Sequence, residues 1–155
     1  VAFMKGSGVV ITVEEAAALK KEYLKTYPEM VNYFQKASKL TQWGVATIVH
    51  PISNRQRGGL NYNQCLNTPF QGLCADGALA ALWAVTRACF VEPESPLAGC
   101  HPCLFLHDEI MLECPIGKED AAAAELSRLM VQEMARFIPD IPIEAEPQIS
   151  TEWVK

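Results

Sequence analysis

Cys103-Leu104-Phe105-Leu106, then His107-Asp108-Glu109, then Ile110-Met111-Leu112 is the most informative string in the chain. Two short apolar runs around a few polar residues spell two strands joined tightly into an antiparallel hairpin. Adjacent carboxylates at such a tip repel each other and cannot both be buried cheaply. A divalent cation removes that conflict, and hard oxygen donors at a strand end suit magnesium. Taken alone, the three polar residues read more simply as a solvated turn.

Outward from the hairpin the period changes to that of helices. Residues 119–137 place Ala122, Leu126, Leu129, Met130 and Phe137 on one side of an amphipathic helix. The tail Ile141-Pro142-Ile143-Glu144-Ala145-Glu146 alternates like an edge strand. Upstream, a loop rich in Pro and Gly covers 92–102, and the longest helix is expected from Asn67 to Phe90, capped by Thr68 with Pro69 in its first position.

Val45 to Val49 is a β-branched run, followed by a turn at His50-Pro51-Ile52-Ser53-Asn54 and a basic, glycine-rich loop, Arg55-Gln56-Arg57-Gly58-Gly59. Thr12 and Glu15 can form a capping box for a helix with Ala16, Leu19 and Tyr23 on one face. Pro28 opens a second helix carrying Val31, Phe34 and Ala37, which ends near Trp43-Gly44. Residues 1–11 read as a loop or frayed end. The expected fold class is α+β, an antiparallel hairpin or small sheet with helices packed on one face, in a single domain spanning 1–155.

Half of the 155 residues are hydrophobic, enough for a buried core. No run approaches the roughly 20 uninterrupted apolar residues that span a bilayer, so no membrane partner is expected. The six cysteines sit mostly within apolar runs and, with no secretory signal, read as reduced thiols used as small hydrophobes. The absence of an initiator Met suggests a fragment or a trimmed chain. A net charge of −5 and a pI near 5.2 argue against a stand-alone nucleic-acid binder, which usually carries a basic excess.

A second constellation opposes that argument from charge. Asn67 and Gln71 are four apart, on one face of the expected helix. Gly72 and Ala75 continue that face with almost no side chain, leaving the amides room to meet a large ligand. Asn and Gln offer both donors and acceptors, which suits base edges, sugars or a duplex backbone. Helix capping by Asn67 and an exposed Gln71 explain the same residues about as well.

The string Asn67-Thr68-Pro69-Phe70-Gln71-Gly72-Leu73-Cys74-Ala75-Asp76 resembles the Asn-x-Pro-x-Gln-Gly-x-x-Ala-Asp signature of family A DNA polymerases. His107-Asp108-Glu109 between two apolar strands resembles their motif C. A Tyr27-Pro28-Glu29-Met30 helix junction before the basic loop, and Pro142-Ile143-Glu144-Ala145-Glu146 before Trp153, follow the family's order. The resemblance runs from about Val10 onward and implies a partial palm with the base of the fingers.

The resemblance implies that Asp108 is a carboxylate ligand of catalytic Mg2+, assisted by Glu109, and that His107 contacts the primer terminus. It implies that Asn67 and Gln71 touch the template–primer duplex on its minor-groove side. Arg55 and Arg57 fall in the family's basic loop, where they could hold phosphates or simply be solvated. Asn63 stands where the family usually has an Arg that contacts DNA. The partner aspartate of motif A and the fingers helix for the deoxynucleoside triphosphate lie, by the same resemblance, upstream of residue 1. The segment alone is therefore expected to be inactive, and its exposed apolar surface could self-associate. The location implied is the cytoplasm of a bacterial cell, for a bacterial or phage-encoded protein.

Two other functional classes are carried beside the polymerase. One is a non-catalytic palm-like module that binds DNA or a partner. The other is a small metal- or redox-binding protein using Cys100, Cys103 and His107, though Cys100-His101-Pro102-Cys103 without a second pair offers too few ligands and Cys103 is expected to pack. Asp76 is expected to be buried and hydrogen-bonded, and Trp43 and Trp83 to be core residues.

Overall fold

The computed structural model describes residue 8 and residues 10–152. The expectation for residues 1–11 therefore falls mostly outside the described residues, as does Trp153. The elements run α1 (Val13–Thr26), α2 (Glu29–Thr41), β1 (Ala46–Val49), β2 (Gln56–Leu60), α3 (Tyr62–Phe90), β3 (His101–Leu106), β4 (Glu109–Glu113) and α4 (Glu119–Ala135). Each pair of strands forms its own two-stranded sheet, so the class is α+β as expected. The chain divides into two compact units, Val1–Ile48 with Arg57–Asn67, and Val49–Gln56 with Thr68–Lys155.

In the first unit α1 starts from the Thr12–Glu15 capping box. Glu15 N–H donates to Thr12 Oγ1 at 3.1 Å and Thr12 N–H to the Glu15 carboxylate at 2.8 Å. Those bonds hold the Glu15 carboxyl below its ordinary range. The face expected on α1 is not buried: Leu19 and Tyr23 are exposed, and Tyr23 stacks at a tilt on Tyr27, 5.2 Å away. α2 begins after Pro28 and closes where Gly44, at φ +122°, donates its N–H to Thr41 O. The small core here joins Ala37, Ala46, Leu60 and Cys65. Trp43 is 91% exposed, a correction to its expected core role.

The basic loop expected at 55–59 is instead a strand. Residues 56–60 pair with β1 across the His50–Arg55 turn, where His50 N–H bonds Arg55 O and Asn54 N–H bonds His50 O. Backbone pairing overrides the weak strand propensity of its two glycines.

α3 starts five residues earlier than expected, at Tyr62 rather than Asn67. Asn61 is the cap: Gln64 N–H donates to Asn61 Oδ1 at 3.0 Å, and Gln64 Oε1 accepts from Asn61 N–H at 2.9 Å. This reciprocal Asn-x-x-Gln box sets the start of the helix. Thr68 and Pro69 instead lie inside the helix. Pro69 has no N–H for the carbonyl one turn before it, while the neighbouring Leu66 carbonyl accepts from Tyr33 Oη at 2.5 Å.

In the second unit Ala81, Val85, Ala88 and Cys89 of α3 pack with Leu97, Cys100, Ile110, Ala122 and Leu129. α3 is long and apolar enough to cross a bilayer by length and composition. Its share in this core gives that composition a use within the protein. Trp83 is not part of the core and is 67% exposed. α4 buries Ala122 and Leu129, with Leu126 and Met130 packed beside them as expected, but it ends at Ala135, and Phe137 lies beyond it and is not part of this core. The tail forms no strand among the described residues; Ser127 Oγ holds it by donating to Ala145 O at 2.6 Å.

Candidate functional site

β3 and β4 form the hairpin that the apolar runs spell. Phe105 stands opposite Ile110 and Leu106 opposite Glu109, so His107 and Asp108 make a two-residue tip. An isolated hairpin of this size is marginal in water. Phe105, Ile110 and Leu112 anchor this one by packing into the core of the second unit. Cys103 is an extra residue between Pro102 and Leu104, a bulge at which its thiol donates to Met111 O at 3.5 Å. Cys103 is exposed, contrary to its expected packing role; Cys100 is the fully buried one.

His107 adopts φ +57°, one of two non-glycine residues with positive φ among those described. That conformation costs a side chain with a Cβ roughly 1–2 kcal/mol and is concentrated at functional turns. His107, Asp108 and Glu109 are all exposed. Among the described residues neither carboxylate has an ion-pair or hydrogen-bond partner, and no three His, Cys, Asp or Glu side chains converge as a metal site. Asp108 and Glu109 are hard oxygen donors, a chemistry that suits magnesium.

The signature helix presents its residues in two ways. Asn67 and Gln71, four positions apart in α3, are both exposed. Thr68, Gly72 and Asp76, also spaced by four, are buried. The space left by Gly72 is filled by His50 rather than open to a ligand, since a Cβ added there would overlap the imidazole ring. His50 is itself buried, and Thr68 Oγ1 is buried without a hydrogen-bond partner among the described residues.

Asp76 is buried and bonded, as the sequence suggests. Its Oδ1 pairs with Arg55 Nη2 at 2.8 Å, and its Oδ2 accepts from Ser53 Oγ at 2.5 Å. Arg55 Nη2 also donates to Gly72 O at 3.0 Å, and Ser53 Oγ accepts from Arg55 N–H at 3.2 Å. One face of α3 thus clasps the turn from His50 to Arg55. His50 and Ser53 escaped the sequence reading; the four-residue recurrence of Thr68, Gly72 and Asp76 was the available signal for a buried face. Arg57 is exposed in β2, and Asn63 is exposed in the first turn of α3.

Residues 3–155 match the family model for DNA polymerase family A. The chain is 25% identical over 151 residues to DNA polymerase I of Aquifex aeolicus, covering 97% of this chain and 25% of that protein. It is 24% identical over 165 residues to the DNA polymerase of Bacillus phage SP01, covering 97% of this chain and 17% of that protein. Thermostable DNA polymerase I of Thermus filiformis is 24% identical over 155 residues, covering 94% of this chain and 18% of that protein. The chain thus spans a quarter or less of each of these relatives. No solved structure matches it. With the family model covering nearly the whole sequence, the chain belongs to DNA polymerase family A.

Proposed function

We propose that this chain is the carboxy-terminal palm segment of a DNA-directed DNA polymerase, which adds deoxynucleotides to a primer 3′ end with release of pyrophosphate. The observation that carries the reading is the hairpin tip: in a family A chain, two adjacent exposed carboxylates stand beside a histidine held at positive φ. Asp108, assisted by Glu109, would hold Mg2+, which when bound supplies the positive charge that stabilises the transferring phosphoryl group. His107 orients the primer terminus. Asn67 and Gln71 offer paired donors and acceptors to the minor-groove side of a template–primer duplex. Arg55 and Arg57 hold backbone phosphates, and Asn63 supplies a neutral contact where the family usually has Arg.

Phosphoryl transfer by two metals needs carboxylates on both sides of the ions. Asp108 and Glu109 provide one side, so the 155-residue chain alone is inactive. The complete enzyme takes template–primer DNA and deoxynucleoside triphosphates, and works in the cytoplasm of a bacterial cell. Leu104 and Met111, paired on the hairpin face opposite Phe105 and Ile110, leave the segment prone to self-association.

Primer extension by the full-length parent carrying Asp108→Ala tests the reading. Loss of extension with duplex affinity nearly intact is expected; retained extension refutes the catalytic role of Asp108. A second reading, a non-catalytic DNA- or partner-binding module, is favoured by the lack of a third converging ligand among the described residues. An in-frame upstream strand bearing an aspartate and a Lys-rich helix in the gene would decide for the polymerase.

A further inference from the structure

We infer that Asp76 is a positioning residue that pre-organises Arg55 for a nucleic-acid phosphate, with Ser53 as its second tether. The inference rests on the DNA-binding reading above and gives the signature aspartate a role in it. Arg55 is anchored through Nη2 alone, by Asp76 Oδ1 and Gly72 O. Its Nε and Nη1 have no partner among the described residues. The Asp76 side chain is 5% exposed and the Arg55 side chain 46%, so a buried carboxylate holds an arginine that still reaches solvent.

A guanidinium carries five N–H donors in a rigid fork, so it can be held on one edge and still present another to a phosphate. Holding it in advance removes the loss of rotamer freedom that a free arginine suffers on binding. The Ser53 bond to Asp76 Oδ2 occupies the second carboxylate oxygen and fixes the turn that carries Arg55. Gly72 admits the His50 ring, which lets the same turn lie against α3. The clasp therefore engages Arg55 through Nη2 and leaves its remaining donors uncommitted among the described residues.

The test is the affinity of the full 155-residue chain for a template–primer duplex with a recessed 3′ end, measured across salt concentrations at a temperature where circular dichroism shows every variant folded. Arg55→Ala should weaken binding and lower the salt slope by about 0.9, the value for one phosphate contact. Asp76→Asn should weaken binding about fivefold in the wild-type background and less than about twofold in the Arg55→Ala background. Ser53→Ala, a milder change in an exposed turn, should show the same dependence on Arg55 with a smaller loss.

A purely architectural Asp76 would weaken binding equally in both backgrounds, and that result overturns the inference. Unchanged affinity in both Asp76→Asn and Ser53→Ala overturns it too. A wild-type chain that does not bind the duplex at low salt removes the DNA-binding reading itself and the inference with it. Binding by wild type without coupling removes the inference alone.

Discussion

Asp76 Oδ1 lies 2.8 Å from Arg55 Nη2, joining a buried carboxylate on one helix to a half-exposed arginine side chain 21 positions earlier in the chain. Asp76→Ala would strip Arg55 and Ser53 of their shared acceptor. Because Arg55 keeps access to water, the expected loss is about 1–3 kcal/mol, below that for breaking a fully buried pair. Urea unfolding followed by circular dichroism checks this, and Asp76→Asn should recover part of the loss by still accepting from Ser53.

Gly72→Ala should destabilise the protein by about 1–3 kcal/mol, because the new methyl overlaps the His50 ring. Adding His50→Ala should make the double variant more stable than the sum of the two losses. Strictly additive losses in thermal melts would show that the ring does not fill this space.

Asn61→Ala should cost about 1 kcal/mol through loss of the α3 cap. Thr68→Val should instead be neutral or stabilising, since the Thr68 hydroxyl is buried without a partner among the described residues. The reverse order of effects would restore Thr68 as the start of the helix.

The thiols should separate by reactivity. Cys74 and Cys103 are exposed and should be modified quickly by an aromatic disulfide at neutral pH, whereas Cys65, Cys89 and Cys100 should react only on unfolding. Burial raises Cys89, and burial together with a hydrogen bond to Cys114 pushes Cys100 up to about 11. These raised values favour folding fully below the unfolded thiol value of about 8.5. The contribution is then lost as pH rises toward about 11 for Cys100. Cys100→Ala should therefore flatten the fall in stability between those limits, although its lost packing lowers stability throughout.

How much of this was legible in the sequence varies with the range of the interaction. The β3–β4 hairpin, the Thr12–Glu15 box and the buried side of α4 follow from periodicity and local hydrogen bonding, which operate over a few residues. The start of α3 lies five residues before the expected one because the Asn61–Gln64 box caps it there, and Pro69 falls inside the helix. Trp43 and Trp83 were misplaced because bulk and apolarity do not say which face of an element meets the core.

The α+β class, the hairpin with His107, Asp108 and Glu109 around its tip, and membership of DNA polymerase family A are all readable from the linear order of residues. Those features reside in short strings whose order survives without coordinates. That Gly72 makes room for His50 and that Arg55 is tethered to Asp76 emerges only from the folded chain. Both depend on a turn and a helix separated in the chain, whose approach is set by shape, burial and charge pairing between distant residues.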